Sequence, residues 1–465
     1  MRFRLGHIPS LASCCYCSGK LSLAQDEQKR YRVLIVGGGL TGTLVGLRLK
    51  QLGIRDEIEL TLVERATYSG GRFGAGVSYM GSHADLGAQV LSCVDPSDAR
   101  ANPGHGISLS DLSIANDLVH SLSEKGLLVE APNTALCATE ERMLWDGLWR
   151  HWWAPNGGFR ELLNHIQQIA GIQPLFGIRI DAIERRECND TISDTDSSCH
   201  SLHVTGCKRG SPSFACVKQR FEGDYDCIVF CIPAPNVLTV SGLSDFLSTD
   251  ATAMLRCVGY DSRTVQAHWF SHKLRERLQK LFSIQEGGCR AEIATDQNGL
   301  HFFAFQDAKR SQGDIASGTP CAIVTHATAQ HSHSPSPSLQ ALPTCGPGSV
   351  YYELARLLGM TEDELRAHAV GLEPKTIHWD VAQMIRPMEA VVANPPSFPN
   401  AWRCIEGNST SVIVAGDFMT QSSFLGCVSS ANAAAAAVTK RFCKWQTEMP
   451  LPTGSNKGDK QLHIK

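Results

Sequence analysis

The sequence lacks any apolar run of the roughly 20 residues that a membrane-spanning helix needs. It also lacks an excess of either charge, because 43 basic residues stand against 46 acidic ones and leave a formal net charge of −3. The net charge of such a chain is too small to attract nucleic acid or a membrane surface by its overall electrostatic field. We therefore expect neither nucleic acid nor a membrane among its partners.

Cysteine is abundant, with 18 residues, but the regular spacing of a small disulfide scaffold is missing. The thiols are instead scattered along the chain, for example at Cys137, Cys188, Cys257 and Cys345. We expect reduced and mostly buried thiols.

A metal-ligand set is missing as well. The cluster of Cys14, Cys15 and Cys17 has no distant CxxC or His-x-His partner. The histidines of a serine- and proline-rich stretch have no compact set of further ligands around them; they are His326, His331 and His333. We expect no metal site.

The first 30 residues carry no clear targeting signal. Arg2 and Arg4 precede a short, weak apolar stretch, and no acidic residue comes before Asp26. The pattern allows a poor secretory signal, a transit-like leader or a disordered extension. Localisation, cytoplasmic or secreted, stays open with it.

The first regular structure is predicted within residues 31–64. The run YRVLIV is apolar and β-branched, as in a strand buried on both faces. GGGLTGTLVGLRLKQLG then predicts a turn and an amphipathic helix that stops near Gly53, and IELTLVE predicts a second strand. The crossover rule makes the two strands parallel.

The glycines between this strand and helix follow the pattern G-x-G-x-x-G, which in that context binds a dinucleotide. Gly37 suits a tight turn, Gly39 a close approach of pyrophosphate, and Gly42 close packing of helix on strand. Thr41 offers a hydroxyl near the phosphates, and the helix N-terminus offers unpaired N–H groups with partial positive charge. Glu64 ends the second strand about 20 residues later, where an acid accepts hydrogen bonds from an adenosine ribose.

Further segments indicate which dinucleotide binds. SGGR, ending at Arg72, would bring a cation to the same pyrophosphate, and ADLGAQV follows at 84–90. Flavoproteins of the glutathione-reductase type carry both segments, with FAD extended beneath them. Near the other end of the chain, SVIVAGD predicts a strand with Asp417 at its carboxyl end, where doubly wound sheets bind ligands. Asp417 suits ribityl hydroxyls, and a helix starting near Gly426 would direct its positive N-terminus at the pyrimidine side of a flavin.

Other patterns outline the rest of the chain. APNGGFRELLNHIQQIAGI predicts a helix, and PLFGIRIDAIERRE, SLHVTG and YDCIVFCIPAP predict strands. RTVQAHWF and GLHFFAFQD alternate like strands of an antiparallel sheet with one solvent-exposed face. Residues 310–348 are rich in Ser, Pro and Gly and are predicted to be a loop or disordered insertion; VYYELARLLGMTEDELRAHA returns to helix.

Together these segments resemble the renalase family, FAD-dependent oxidases of the amine-oxidase-like group of flavoproteins. The matching segments span residues 31–440 and are VLIVGGGLTG, SGGRFGAG, ADLGAQVLSC, WWAPNGGFRELLNHI, DCIVFCIPAP, FFAFQDAKR and GDFMTQSSFLGCVSSA. Many flavoproteins share the first two. The last is far more specific and mainly supports the resemblance.

The resemblance implies an α/β fold with FAD as the cofactor. Its main part would be a doubly wound Rossmann-type FAD-binding domain like those of glutathione reductase and p-hydroxybenzoate hydroxylase, with an inserted antiparallel α+β substrate domain. The implied FAD contacts, among which the backbone of Ile180 would flank the adenine, are Gly37, Gly39, Thr41, Gly42, Glu64, Arg72, Gln89, Val90, Ile180 and Asp417.

The implied division into domains is discontinuous. The FAD-binding domain would comprise residues 31–95, 151–239 and 375–442. The substrate domain would comprise residues 96–150 and 240–374, with a flexible insert at 310–348. Residues 1–30 would be an N-terminal extension and 443–465 a C-terminal tail.

The resemblance also implies an activity. Renalases are understood to oxidise aberrant isomers of NAD(P)H, such as the α-anomer and the 2- or 6-dihydro forms. The electrons pass to O2, giving β-NAD(P)+ and hydrogen peroxide; an older assignment made the family catecholamine oxidases. A dihydropyridine gives up hydride without prior deprotonation, so no catalytic acid or base is predicted. His268, His301 and His378 are interpreted as structural or surface residues.

Two departures from the family's pattern concern the substrate. Val90 stands where the family is expected to have a tyrosine beside the flavin. Trp379 is followed by Asp380, where the family tends to have an arginine. An acid in place of a cation would weaken or alter recognition of an anionic dinucleotide.

Two other hypotheses stay open. An oxidase of small amines with the same fold would use aromatic residues beside the flavin and often a lysine-bound water. Trp379 could form half of such a cage, but GDFMTQSSFLG has no aromatic pair and no lysine stands out. The third hypothesis is a secreted or scaffolding protein, not an enzyme, that holds FAD only as a structural group. The sequence does not indicate the oligomeric state.

Overall fold

The run YRVLIV forms a strand, Tyr31–Val36, in the middle of a mainly parallel sheet in the computed structural model of this protein. The structure describes residues 30–94, 107–131, 149–187, 200–208, 219–282, 292–294, 300–310, 315–327, 345–371, 374–382, 404–406, 412–420 and 422–448. All described helices and strands belong to one unit, Tyr31–Lys465.

In chain order, the described strands are β1 (Tyr31–Val36), β2 (Ile58–Glu64), β3 (Gly76–Tyr79), β4 (Ser82–Asp85), β5 (Leu91–Val94), β6 (Val129–Ala131), β7 (Trp149–Trp153), β8 (Leu175–Phe176), β9 (Ile178–Glu187), β10 (His200–Lys208), β11 (Gln219–Tyr225), β12 (Cys227–Phe230), β13 (Tyr260–Phe270), β14 (Glu292–Ala294), β15 (Leu300–Phe305), β16 (Cys321–Ala327), β17 (Lys375–Ala382), β18 (Cys404–Glu406) and β19 (Val412–Ala415). The helices are α1 (Leu40–Gln51), α2 (Leu109–Glu124), α3 (Gly158–Ala170), α4 (Ala234–Val237), α5 (Thr249–Cys257), α6 (Arg275–Leu281), α7 (Val350–Leu358), α8 (Glu362–Ala367) and α9 (Phe424–Glu448). Within the described ranges, no helix is long and apolar enough to cross a membrane.

Six strands form the main sheet, in the order β18-β19-β12-β1-β2-β8. All neighbours pair in parallel except β18, which is antiparallel to β19. Val36 of β1 lies opposite both Val63 of β2 and Phe230 of β12, and Phe230 lies opposite Val414 of β19. The carboxyl ends of β1, β2, β12 and β19 therefore meet at one edge of the sheet, and the predicted parallel β-α-β unit is confirmed.

The two faces of this sheet are covered differently. Val33 and Ile35 pack into an apolar cluster with α1, α2, α3 and α9, whereas Leu34 and Val36 pack with β9, β10, β11, α4 and α5. The second face is thus covered largely by a three-stranded antiparallel sheet, where a doubly wound fold would have helices. The reason is the period-2 pattern of Ile178–Glu187 and its partner strands, which offers one apolar face to the parallel sheet.

A separate antiparallel sheet has the order β14-β15-β16-β13-β17. The expectation of one solvent-exposed face was wrong, because β13 is buried continuously from Thr264 to Phe270. One face carries Val265, Ala267 and Trp269 into an apolar cluster, and the other is covered by α6, α7 and α8. The alternating polar residues of β13 are therefore buried, and His268 among them lies against Tyr351 of α7.

The prediction of a flexible insert at 310–348 was wrong for the middle of this stretch. Cys321–Ala327 is strand β16, which pairs with both β13 and β15. Its apolar residues Cys321, Ile323 and Val324 are fully buried, which outweighs the Ser- and Pro-rich composition on either side. Residues 311–314 and 328–344 lie outside the described residues. The proposed division into domains stays a prediction.

Helix α2 is tied to the C-terminal helix α9 by a buried carboxylate. Asp111 forms a capping box with Ser108 at the α2 N-terminus, which satisfies backbone donors there. Its oxygens also accept hydrogen bonds from Ser429 Oγ at 3.0 Å and Asn432 Nδ2 at 2.9 Å. Arg48 Nε of α1 donates to the side-chain oxygen of Asn432, Oδ1, at 3.0 Å. The first turns of α9 are thus held in place by two other helices.

We predict that Met80→Asn stabilises the protein. Met80 has φ +47° and Gly81 φ +81° in the tight turn between β3 and β4, and Met80 is 69 % exposed, so its side chain gains little from packing. Asn tolerates the left-handed region better, and Asn-Gly favours this turn. The free energy of unfolding in urea should rise by about 0.5–1 kcal/mol. Met80→Val is the matched control and should lower the free energy of unfolding. Equal free energies of unfolding for the two variants would contradict backbone strain at Met80.

His268 is a buried histidine of β13 under helix α7. Its ring packs edge-on against Tyr351 with 5.5 Å between centroids, and neither ring nitrogen has a hydrogen-bond partner among the described residues. Burial lowers the pKa of His268 from 6.5 to about 3, and the positive charge of Arg366 acts in the same direction. The unfolded chain therefore binds a proton below about pH 6.5 that the folded protein does not accept until near pH 3.

We predict that this histidine weakens the fold in acid. The free energy of unfolding should fall progressively as the pH falls from 6.5 towards 3. Between about pH 7 and about pH 4.5 the loss through His268 should be on the order of 2 kcal/mol. Urea unfolding at both pH values should show a smaller loss for His268→Phe. His120, exposed on α2, is the control, and His120→Gln should behave like the wild type. An unchanged pH dependence in His268→Phe would show that this histidine is not the cause.

Candidate cofactor-binding site

The carboxyl edge of the parallel sheet brings together residues from the two ends of the chain. Gly37 follows β1, Glu64 is the last residue of β2, and Asp417 follows β19 after one glycine. These strands leave the sheet at the same edge, where open α/β sheets bind ligands. This edge is the candidate functional site.

The glycines of the loop after β1 have different surroundings. Gly37 has φ +111°, and a Cβ there would lie 2.6 Å from the carbonyl oxygen of Cys231. A Cβ on Gly42 would lie 2.1 Å from the carbonyl oxygen of Gly37, so α1 needs glycine to pack against the turn. A Cβ on Gly39 would meet nothing within 4 Å. Packing therefore explains Gly37 and Gly42, whereas the space beside Gly39 is open to a ligand.

The N-terminus of α1 borders this open space. Gly39 is the N-cap residue and provides no side-chain cap, so N–H groups of the first turn stay available to an anion. Thr41 is buried, and its side chain lies beside the thiol of Cys427 in α9. Burial, together with the negative charge of Asp417, raises the pKa of Cys427 to about 12. The predicted phosphate contact Thr41 thus also joins α1 to α9.

Glu64 turns its carboxylate towards the glycine loop. Oε2 accepts a hydrogen bond from the Gly38 N–H at 2.8 Å, and Oε1 accepts one from the Ala66 N–H at 2.7 Å. A carboxylate has about four acceptor positions, so it retains capacity for the ribose hydroxyls predicted for it. The two backbone bonds hold its orientation.

The SGGR turn lies directly against the glycine loop. The Gly70 N–H donates to the Gly38 carbonyl at 3.0 Å. Gln167 of α3 is buried and donates through Nε2 to Ser69 Oγ at 2.9 Å and to Thr43 Oγ1 at 3.0 Å. The turn, α1 and α3 are therefore held together independently of any ligand.

Arg72 and Asp417, predicted separately as cofactor contacts, form an ion pair. Arg72 Nη2 lies 2.6 Å from Asp417 Oδ1, and their side chains are only 30 % and 11 % exposed. Ser422 Oγ donates to the other carboxylate oxygen at 2.6 Å. Burial acts to lower the pKa of Arg72, but the charge and hydrogen bond of Asp417 outweigh it and the pKa is raised. The pair joins positions 345 residues apart in sequence.

Helix α9 begins beside this pair, at Phe424, two residues before the predicted start. Ser423 Oγ accepts a hydrogen bond from the Gly426 N–H at 3.1 Å and so caps the first turn. Ser430 Oγ accepts one from the Gly416 N–H at 2.9 Å, which fixes the helix to the end of β19. The N-terminus of α9 is thereby positioned next to Asp417.

Gln89 has a fully engaged side chain. Its Nε2 donates to the carbonyls of Asp85, at 2.5 Å, and Gly87, at 3.1 Å. Its Oε1 accepts from Gln306 Nε2 at 3.0 Å and from Lys309 Nζ at 2.7 Å. Two donors and two acceptor positions are all that a carboxamide has. A cofactor contact at this position would therefore use the backbone of Gln89.

Lys309 is the residue of this site that the sequence did not identify. It is 3 % exposed and lies in the short 3₁₀ turn Gln306–Lys309 that follows β15. Gln306 Oε1 also accepts from the Asp85 N–H at 3.1 Å, so the turn is bound to the 85–89 segment at several points. The signal available in the sequence was a lysine four residues after the apolar run of β15, in FFAFQDAKR.

Two predicted contacts, Val90 and Ile180, lie at the margins of the site. Val90 is half-buried and follows Gln89 directly. Ile180 is buried, with its side chain in the core, and belongs to β9, an edge strand of its sheet. A register shift after Thr205 places Gly206 opposite Ile180. Only the backbone of Ile180 is therefore suited to a ligand, as predicted for it.

The side chains of His301, His378, Trp379 and Asp380 lie outside the described residues. In the described part of the chain, no group of three His, Cys, Asp or Glu side chains is arranged to hold a metal ion.

No protein-family model matches the chain, and no curated protein matches it. Among solved structures it is similar to a protein from Exiguobacterium sp. 255-15 provisionally named a protoporphyrinogen oxidase, with a TM-score of 0.50, 14 % identity and coverage of 89 % of this chain and 99 % of that chain. A crystal structure of a Pyrococcus furiosus protein has a TM-score of 0.46, 13 % identity and coverage of 88 % and 97 %. At 14 % identity, the first similarity is one of fold: a mixed α/β structure with a parallel sheet of the Rossmann type.

Proposed function

We propose that this protein binds FAD and uses it to oxidise a small dinucleotide substrate, with O2 as the electron acceptor. The observation that carries the proposal is the Arg72–Asp417 ion pair beside the glycine loop. It brings a cation, a carboxylate and two helix N-termini to one edge of the sheet, although Arg72 and Asp417 lie at opposite ends of the sequence.

The residues at this edge fit the parts of FAD. The open space at Gly39 and the uncapped α1 N-terminus suit a pyrophosphate, and Arg72 adds positive charge. Glu64 has acceptor capacity left for a ribose. Asp417 would bind ribityl hydroxyls, and in doing so would exchange part of its contact with Arg72.

Bound FAD would supply the redox chemistry, taking two electrons as a hydride from the substrate and passing them to O2 to give hydrogen peroxide. The chain's own residues would bind and orient. The α9 N-terminus, next to Asp417, would favour negative charge at that end of the cofactor. Ser422 and Arg72 would hold the Asp417 carboxylate in one orientation.

For the substrate we propose an aberrant dihydropyridine isomer of NAD(P)H, such as the α-anomer or a 2- or 6-dihydro form, with β-NAD(P)+ as product. The resemblance of GDFMTQSSFLGC to the renalase family supports this choice. Such a substrate releases hydride without a general base, and no base is assigned at the site. The Exiguobacterium protein, provisionally named an oxidase, is of the same broad class.

A specific observation favours a second candidate, the oxidation of a small amine. Lys309 is buried beside the 85–89 segment, and the sequence patterns had not identified this lysine as a candidate. An amine oxidase of this fold would use such a lysine to hold a water near the cofactor. Lys309 Nζ already donates to Gln89 Oε1 at 2.7 Å and to Gln306 Oε1 at 3.5 Å, so holding a water would require it to give up part of these contacts.

We predict that Arg72→Ala lowers the retention of FAD. Removing the guanidinium takes away positive charge at the proposed pyrophosphate position and leaves Asp417 without its ion pair, so the dissociation constant should rise by about tenfold or more. Flavin content after purification and fluorescence titration would measure it. Arg65, exposed in the same loop, is the matched control, and Arg65→Ala should keep its flavin. Full flavin occupancy in Arg72→Ala would contradict the proposed role.

We predict that α-NADH, but neither β-NADH nor small amines, bleaches the flavin absorption of the protein under anaerobic conditions. Hydride transfer from a dihydropyridine needs no prior deprotonation, so the rate should change little between about pH 6 and about pH 9. Stopped-flow absorbance would measure it.

The other outcomes distinguish the alternatives. Bleaching by an amine, with a rate that rises with pH as the free base forms, would select the second candidate. A flavin that none of these compounds reduces would leave FAD a structural group.

A further inference from the structure

An exposed aromatic side chain stands at the edge of the parallel sheet. Phe176 is 38 % exposed, whereas most other phenylalanines of the described residues are buried, with Phe159, Phe230 and Phe303 fully so. One exposed apolar side chain is ordinary on a protein surface. Its position beside the candidate site is what needs an explanation.

Phe176 lies next to Glu64. The two residues are register partners in the parallel pair of β2 and β8, so their side chains share a face and their backbones are about 4.8 Å apart. The Gly177 N–H donates to the Ala66 carbonyl at 2.9 Å, which continues the pairing past the strand end. Ala66 also donates its N–H to Glu64. The backbones that carry the ring and the carboxylate are therefore held side by side at the candidate site.

The Phe176 ring is free to stack on a ligand. Among the described residues, no aromatic ring or cation contacts it. Tyr68, also exposed in the loop after β2, differs, because the Arg160 guanidinium lies 4.1 Å from the centre of its ring. Gly177, with φ +74°, turns the chain away directly after Phe176 and towards Ile180. An aromatic surface is thus left open beside a carboxylate with spare acceptor capacity.

We propose that Phe176 is the stacking surface for the adenine of FAD, with Glu64 accepting hydrogen bonds from the attached ribose. A flat purine with a vicinal diol matches an open ring next to a carboxylate. This inference rests on the proposed function and deepens it by naming a contact that discriminates FAD from flavins without an adenosine. The adenosine of a dinucleotide substrate has the same chemistry; the proposal commits to that of the cofactor.

The test compares Phe176→Ala, Phe176→Tyr and Leu175→Ala in the full-length protein. Leu175 is the matched control because it is the neighbouring residue of the same short strand and is more exposed, at 46 %. FAD affinity is measured by fluorescence titration of apoprotein, and ADP affinity by its displacement of FAD. Thermal unfolding of the apoproteins shows whether the variants fold.

The expected result is a rise of about 5- to 150-fold in the dissociation constants of both FAD and ADP for Phe176→Ala, because stacking on an aromatic ring contributes about 1–3 kcal/mol per base. Phe176→Tyr and Leu175→Ala should bind like the wild type. ADP has no flavin ring, so a loss shared by both ligands locates the contact at the adenosine.

Unchanged FAD and ADP affinities in a folded Phe176→Ala would overturn the inference, even if the KM of the substrate rose. That last pattern would place a substrate adenosine on the ring instead. A loss of FAD and ADP affinity in Leu175→Ala equal to that in Phe176→Ala would also overturn the inference. A wild-type protein that binds no FAD would refute the proposed function and this inference together. A wild-type protein that binds FAD, with a Phe176→Ala variant of the same affinity, would refute the inference alone.

Discussion

The parallel register of β2, β1, β12 and β19 is the constraint on which the rest of the structure depends. It aligns Val63, Val36, Phe230 and Val414 across the sheet, and so brings the residues that follow them to one edge. Parallel strands need long crossovers, and here the crossover from β12 to β19 contains the whole five-stranded antiparallel sheet. A slip of one residue would turn every buried β1 side chain to the wrong face.

Two buried carboxylates, Asp417 and Asp111, have their partners within the protein, which makes the arrangement specific. Asp417 and Arg72 neutralise each other, and Asp111 is satisfied by donors from α2 and α9. A buried ion pair contributes little net stability, because desolvation offsets much of the attraction. Removing one partner is costly, however, so these pairs favour one placement of α9 over others. The position of the candidate site therefore depends on polar contacts as much as on the apolar core.

The segment 85–89 connects the candidate site to the antiparallel sheet. Gln306 and Lys309, from the turn after β15, bind the Gln89 carboxamide, and Gln306 also binds the Asp85 backbone. All four hydrogen-bonding positions of Gln89 are used within the protein. The polar network thus holds the antiparallel sheet against the 85–89 segment, and its side chains are suited to position other groups more than to contact a ligand directly.

Local patterns made much of the fold predictable. The glycine loop, β1, α1, β2 and the strand before Asp417 all follow from short-range chemistry, since a buried strand, a tight turn and a helix start each need particular residues in sequence order. The prediction failed where burial and not local composition decides the structure. Cys321–Ala327 is a central strand inside a polar stretch, and the polar side chains between Thr264 and Phe270 are buried. Asp417 and Arg72 were each identified as candidate site residues, but their pairing was not. By itself the sequence determined which residue types stand at the ends of strands. The tertiary structure decided that Arg72 contacts Asp417 and that Lys309 contacts Gln89. The partners in each pair lie more than 200 positions apart, and contacts over such separations depend on strand register and packing.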